Sequence, residues 1–126
     1  MVEDRTTDGT RIAQLLSSEV SGREDSGLDA LDVMNTDPDV EPSADGELAY
    51  EVGRDGDSET LAEVYVQPER VRVEFREGVD VAAEVAEGVD LCVRPKAVRP
   101  PRTLVFVEDG AAVKRATDVF VAVLDE

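Results

Sequence analysis

Residues 62–76 read A-E-V-Y-V-Q-P-E-R-V-R-V-E-F-R, and this stretch decides the fold. Ala62, Val64 and Val66 alternate with Glu63, Tyr65 and Gln67, and then Val71, Val73 and Phe75 alternate with Arg70, Arg72, Glu74 and Arg76. A period of two with one apolar face is the pattern of a strand buried on one side and wet on the other. The intervening Gln67-Pro68-Glu69-Arg70 is a tight reversal, because proline presets the φ of a turn and cannot donate to a ladder. Upstream, Leu48, Tyr50 and Val52 alternate with Glu47, Ala49 and Glu51, a further strand that reaches Ala62 through Arg54–Glu59 and its Asp55-Gly56 pair. The centre of the chain is therefore an antiparallel meander. Its polar face sets Arg70, Arg72, Glu74 and Arg76 beside Glu47, Glu51 and Glu63, which reads as cross-strand charge pairing on a solvated face rather than as a site.

Toward the amino end, Leu31, Val33 and Asn35 alternate with Asp32 and Met34 in a short, weak strand that stops at Asp37-Pro38. Residues 36–46 hold two prolines, Gly46 and four acids, and read as an exposed loop. Arg23 to Gly27 reads as another. Before it, Ile12, Leu15, Leu16 and Val20 fall on one face of a helix spanning Asp8–Ser21, with Thr7 or Asp8 as its cap and Gly22 at its end. Residues 1–7 are polar and charged and are expected to be disordered.

Toward the carboxyl end the period changes. Val81, Ala82, Val85 and Ala86 lie at helical spacing, with Asp80 placed to cap and Gly88 to end the helix. Val89, Leu91 and Val93 predict a fifth strand, and Thr103–Val107, apolar on both faces, predicts a sixth in a central position. A last helix over Gly110–Leu124 presents Val113, Ala116, Phe120, Val123 and Leu124 as its stripe. Val119, Val121 and Val123 would also suit a strand, but Ala111–Arg115 favours the helix. The order α-β-β-β-β-α-β-β-α predicts one α+β domain over residues 8–126, a mainly antiparallel sheet with its helices on one face. In element order alone it resembles the small α+β chaperones of bacterial secretion systems, a likeness that fixes no function.

The chain has 126 residues, 30 Asp+Glu against 13 Lys+Arg, and a net charge of −17. Eleven of the bases are Arg, and the apolar set is small, with 21 Val and 13 Ala against one Ile. Such composition resembles the cytoplasmic proteins of extreme halophiles, whose carboxylate surfaces stay soluble under strong screening. At about 1 M salt the Debye length is roughly 3 Å, so self-repulsion that would loosen this fold in dilute buffer is removed. The chain opens Met-Val-Glu-Asp-Arg, with no basic and then apolar start, and nowhere reaches the roughly 18 apolar residues of a membrane span. A cytoplasmic protein with no membrane contact is expected. Its single cysteine, Cys92, cannot form an internal disulfide, in keeping with a reducing compartment.

With no histidine, Ser/His/Asp and Cys/His nucleophile pairs are excluded, as are the usual zinc sites. Neither G-x-G-x-x-G nor G-x-x-x-x-G-K-[ST] occurs. Calcium-loop registers fail: from Asp37, position six is Pro42 and position twelve Leu48; from Asp55 they are Thr60 and Val66. No enzyme, cofactor or metal is expected. An enzyme built on carboxylates would need a deep pocket with two converging acids. Cys92 points away from Val89, Leu91 and Val93; a sheet covered on both faces would make it a small core residue, and an exposed face would leave its thiol beside Arg94 and Lys96.

One segment contradicts the composition. Arg94-Pro95-Lys96-Ala97-Val98-Arg99-Pro100-Pro101-Arg102 carries four cations, three prolines and no acid. Its prolines preclude helix and predict an extended, polyproline-like arm. Arg94, Lys96, Arg99 and Arg102 either pair with carboxylates of the meander or face an anionic partner, with Val98 among them. Four phosphate contacts would give a log-log salt slope of about −3.6, so non-specific nucleic-acid binding becomes negligible in molar salt. Bidentate Arg contacts and apolar contacts of Val98 survive such screening. The expected function is a non-enzymatic interaction or adaptor module that meets another protein through residues 94–102; the alternative is a nucleic-acid accessory protein using the same arm. The oligomeric state stays open. The run V-R-P-K-A-V-R-P-P-R-T-L-V-F-V-E-D-G-A-A-V-K-R-A-T-D, residues 93–118, is similar to small uncharacterised haloarchaeal proteins, a resemblance that carries no activity.

Overall fold

In the computed structural model the described residues are 8–22, 31–37, 39–54 and 60–124. The expected disordered stretch 1–7, the loop after Gly22 and the Asp55-Gly56 connection lie outside them. The elements are α1 (Gly9–Gly22), β1 (Leu31–Met34), β2 (Glu47–Arg54), β3 (Thr60–Val66), β4 (Val71–Phe75), α2 (Val79–Gly88), β5 (Cys92–Lys96), β6 (Arg102–Val107) and α3 (Gly110–Leu124). The strands form one sheet of order β1-β2-β3-β4-β6-β5, and every pairing is antiparallel. This is the α+β domain that the alternation and helical spacing predict.

All three helices cover one face. Val52, Val64, Val66, Val71, Val73, Phe75, Val105 and Val107 project into the core, where they meet Ile12, Leu16 and Val20 of α1 and Val113, Val119, Phe120 and Val123 of α3. Phe75 and Phe120 stack at 4.9 Å between ring centroids in a tilted geometry, the largest fully buried side chains in a core made mostly of Val, Ala and Leu. The Tyr50 hydroxyl donates to the Ala13 carbonyl at 2.8 Å, which joins β2 to α1 inside the core, and burial pushes that hydroxyl well above its ordinary pKa. No described helix is long and apolar enough to cross a membrane.

Three local expectations are corrected. The first is Leu48: a register shift between Leu48 and Tyr50 buries Ala49 and Tyr50 together and turns Leu48 outward opposite Tyr65. A bulge inserts a residue and so reverses which side chains face the core. The second is the start of α2. Gly78, at φ 58°, is the residue before the helix, and Asp80 lies inside the first turn without capping it. Glycine suits this left-handed position because it has no Cβ to clash. The third is β5, expected to begin at Val89. Val89 and Asp90 are used instead to close α2, with Asp90 at φ 63° and the Leu91 amide donating to the Ala86 carbonyl at 2.9 Å, so the strand starts at Cys92. It runs on through Pro95, which an edge strand tolerates.

Helix α1 begins as expected, with Asp8 Oδ1 accepting from the Thr10 amide at 3.0 Å. Its first residue, Gly9, sits against the β3–β4 turn, and its amide donates to the Pro68 carbonyl at 3.1 Å. A Cβ added there would lie 1.8 Å from the Gln67 carbonyl oxygen, a backbone atom that cannot step aside, whereas one added at Gly88 would meet nothing within 4 Å. Gly9→Ala is expected to cost about 1–3 kcal/mol by overpacking. Gly88→Ala is expected to stabilise by about 0.5–1 kcal/mol through the unfolded chain. Urea midpoints of the two variants check both signs.

Candidate basic hairpin and sheet face

The open face of the sheet is built from alternate residues of the meander and of the β5–β6 hairpin. Strand register sets Glu63 of β3 directly across from Glu74 of β4. Like charges opposite one another repel. Arg102, at the start of β6, resolves the conflict: its Nη1 donates to Glu63 Oε1 at 2.8 Å and to Glu74 Oε1 at 2.8 Å. Lys96, paired with Arg102 across β5 and β6, donates from Nζ to Glu74 Oε1 at 3.2 Å, and Arg72 donates from Nε to Glu74 Oε2 at 2.9 Å. Arg76 adds a longer contact, 3.6 Å, to Glu63. Glu74 is thus the hub of the network, with only 1% of its surface exposed.

Burial alone would push the Glu74 carboxyl up, but hydrogen bonds from Arg102 and Lys96 and the charge of Arg72 outweigh it and hold the carboxyl below its ordinary 4.5. Burial lowers Arg102 in turn, and its two carboxylates more than reverse that. Tyr65 next to them is pushed up to about 12, first by burial and then by its 2.6 Å hydrogen bond to Glu63. The guanidinium of Arg72 lies 4.6 Å from the Tyr65 ring centroid, and that of Arg70 lies 4.2 Å from Phe106, so arginines roof the two aromatic rings of this face.

The arm 94–102 is therefore not one extended nine-residue connection. Residues 94–96 pair with 102–104 as the end of a hairpin, which leaves residues 97–101 as its tip. The expectation splits accordingly. Lys96 and Arg102 are consumed by the protein's own carboxylates. Arg94 and Arg99 are exposed and make no ion pair among the described residues. Between them stands Val98, at 40% the one large apolar side chain exposed among the described residues, flanked by the exposed Pro100 and Pro101.

Two further expectations change. The meander's polar face is more than a solvated array, because Glu74 and Phe106 are buried in it. The sequence shows Glu63 and Glu74 as ordinary outward residues; only register reveals that they face each other. Cys92 is not a small core residue: the sheet is covered on one side only, and Cys92 is exposed with Sγ 3.8 Å from Glu108 Oε1. Glu63 and Glu74, which the register brings together, lie on this face beneath Arg102 rather than in a deep pocket, and an open hollow is lined by Asp37, Asp39, Glu41 and Glu47. A groove of about 290 Å³ between α1 and the chain after β1 is lined by Thr10, Ser17, Tyr50 and their neighbours and holds a single acid, Asp37. Among the described residues no group of three or more His, Cys, Asp or Glu is placed to hold a metal.

A family model described as "Family of unknown function (DUF7993)" matches residues 1–126. No curated protein and no solved structure matches the chain.

Arg102→Gln, which leaves two facing carboxylates unbridged, is expected to cost about 2–4 kcal/mol. Arg94→Gln should change stability by less than about 0.5 kcal/mol. Because the Glu74 pKa is lower in the folded than in the unfolded chain, its contribution is complete above the ordinary carboxylate value and is lost as pH falls through the folded value. The stability gap between the natural protein and Glu74→Gln, measured by denaturant unfolding, should stay constant from about pH 8 to 5 and close below about pH 4.5.

Proposed function

We propose that this chain, which belongs to the DUF7993 family of unknown function, is a non-enzymatic interaction module that receives an acidic protein on the β5–β6 hairpin and the open sheet face beside it. The observation that carries the reading is the hairpin tip. In a chain of net charge −17, residues 91–107 hold four cations and no acid, and two of those cations, Arg94 and Arg99, make no ion pair among the described residues while Lys96 and Arg102 are spent on Glu74 and Glu63. Free guanidinium groups around an exposed Val98 and two prolines suit bidentate contacts to carboxylates and a small apolar contact, both short-ranged enough to persist in concentrated salt. Arg94, Val98 and Arg99 form the contact; Lys96 and Arg102 position the hairpin that carries them.

A basic sheet bearing aromatic rings is also a way to bind single-stranded nucleic acid, by stacking bases on the rings. Here Arg70 and Arg72 already occupy the faces of Phe106 and Tyr65. That favours a protein partner over nucleic acid.

The proposed setting is the cytoplasm of a halophile. Acids and bases split as 17 to 4 over residues 1–60 and 13 to 9 over residues 61–126, so the acidity is mainly a coat on the first half of the chain. Such a coat reports the solvent more than the partner. If it does, the thermal midpoint should rise steadily from about 0.1 M to about 2 M KCl as self-repulsion is screened; a flat or falling midpoint would remove the halophile reading.

The contact itself is tested with the triple variant Arg94→Gln, Val98→Ser, Arg99→Gln, which leaves the Glu74 network intact. Immobilised in a lysate of the source cells at molar KCl, it should lose the proteins that the natural chain retains. An unchanged set of captured proteins defeats the proposal, and a gel shift that appears at molar KCl would favour nucleic acid instead.

A further inference from the structure

We infer that the acidic protein received by the open sheet face is a second copy of this chain. The inference rests on the reading above, that the basic hairpin and the face beside it take an acidic protein, and it names that protein. Charge is distributed from one edge of the sheet to the other. Residues 31–53, which supply β1, the connection after it and most of β2, hold seven acids and no base. Residues 92–106, which supply β5, the hairpin tip and most of β6, hold four bases and no acid. β1 and β5 are the two edges of one sheet, and strand register puts Asp32 and Glu51 on the open face at its acidic flank and Arg94 on the same face at its basic flank, while Asp37, Asp39 and Glu41 follow β1 in a connection whose Val40 packs against the core.

That layout is self-complementary. A copy turned over onto another, so that its acidic flank covers the other's basic flank, forms the same match twice around one twofold axis. The alternative, like flank over like flank, sets acids against acids. Sheets pack face to face in aligned or orthogonal orientation, and the surface is free to do so: the three helices occupy the other side, and no described helix or strand covers this one. Met34, Leu48, Tyr65 and Leu104 are half-buried on it and would lose their remaining contact with water. Edge-to-edge pairing is the weaker route, since β5 contains Pro95, which has no N–H to offer, and β1 has four residues. A face-to-face pair is closed, whereas edge pairing would propagate.

Two chains of charge −17 repel at long range in dilute buffer. Molar salt shortens that repulsion to a few ångströms while contacts at the interface remain. Association should therefore tighten as KCl rises, the reverse of what a purely electrostatic complex does.

Sedimentation velocity of the full chain tests this across protein concentration at about 0.1 M and about 2 M KCl. The natural protein should reach a dimer that saturates at two copies, and more readily in the higher salt. Two reversal variants follow, Arg94→Glu with Arg99→Glu, and Asp32→Lys. All three are exposed side chains whose reversal breaks no ion pair among the described residues. Each variant alone should dimerise about tenfold or more weakly, and an equimolar mixture of the two should recover a heterodimer, because each then offers the flank the other needs. Circular dichroism confirms that each variant is folded, and Arg94→Gln, a milder change, should weaken the dimer in the same direction. A natural protein that stays monomeric at every concentration, a dimer indifferent to both reversals, or a mixture that fails to recover would overturn the inference. If the chain is monomeric yet the triple variant above still loses captured proteins, this inference falls and the interaction module stands; if neither self-association nor capture is seen, both fall.

Discussion

Arg102 holds together two carboxylates that the strand register sets face to face and whose charges would otherwise drive them apart. The register of β3 against β4 is set by the core, where Val64 must meet Val73 and Ala62 must meet Phe75, and on the opposite face that same register puts Glu63 against Glu74. The inner face thus imposes a repulsion on the outer one. A single guanidinium nitrogen 2.8 Å from both acids converts it into a bridge, and the strand that supplies it, β6, is neighbour to β4 rather than to β3. Three strands are fastened by one side chain on the face that no described helix covers.

Much of the sheet's open side follows from that bridge. Lys96 reaches Glu74 because it is the cross-strand partner of Arg102, so the hairpin is anchored at its base by two cations. Anchoring the base fixes the tip that holds Val98 and Arg99, and Arg94 of β5 and Arg99 make no ion pair among the described residues. The same division of labour runs along β4, where Arg70 and Arg72 cover Phe106 and Tyr65 while the backbone beneath them feeds Val71 and Val73 into the core. Long side chains shelter apolar surface and keep their charges wet, which is how an uncovered sheet face remains stable in water.

The core itself is made of small parts. Valine and alanine supply most of it, and Phe75 against Phe120 is the main aromatic contact. Small side chains bring helices and sheet close together, and the near contact of Gly9 with the β3–β4 turn is one result. Close approach of backbones leaves little slack, so the first turn of α1 and the reversal at Pro68 constrain each other.

The sequence by itself determined the class of fold. Period-two alternation in residues 47–52, 62–67 and 70–76 and helical spacing in 8–21, 80–88 and 110–124 each follow from burying one face of a regular element, which is a local property legible without neighbours. It also determined that the 94–102 segment stands apart, since charge and proline content are countable. Tertiary structure decided what those residues do. Which cations are spent and which are free depends on strand order and register, quantities that join positions 63, 74, 96 and 102 across gaps no local pattern spans. The outward turn of Leu48, the burial of Glu74 and the exposure of Cys92 have the same origin: a bulge, a facing carboxylate and a sheet covered on one side only are relations between elements, and they exist only once the elements have packed.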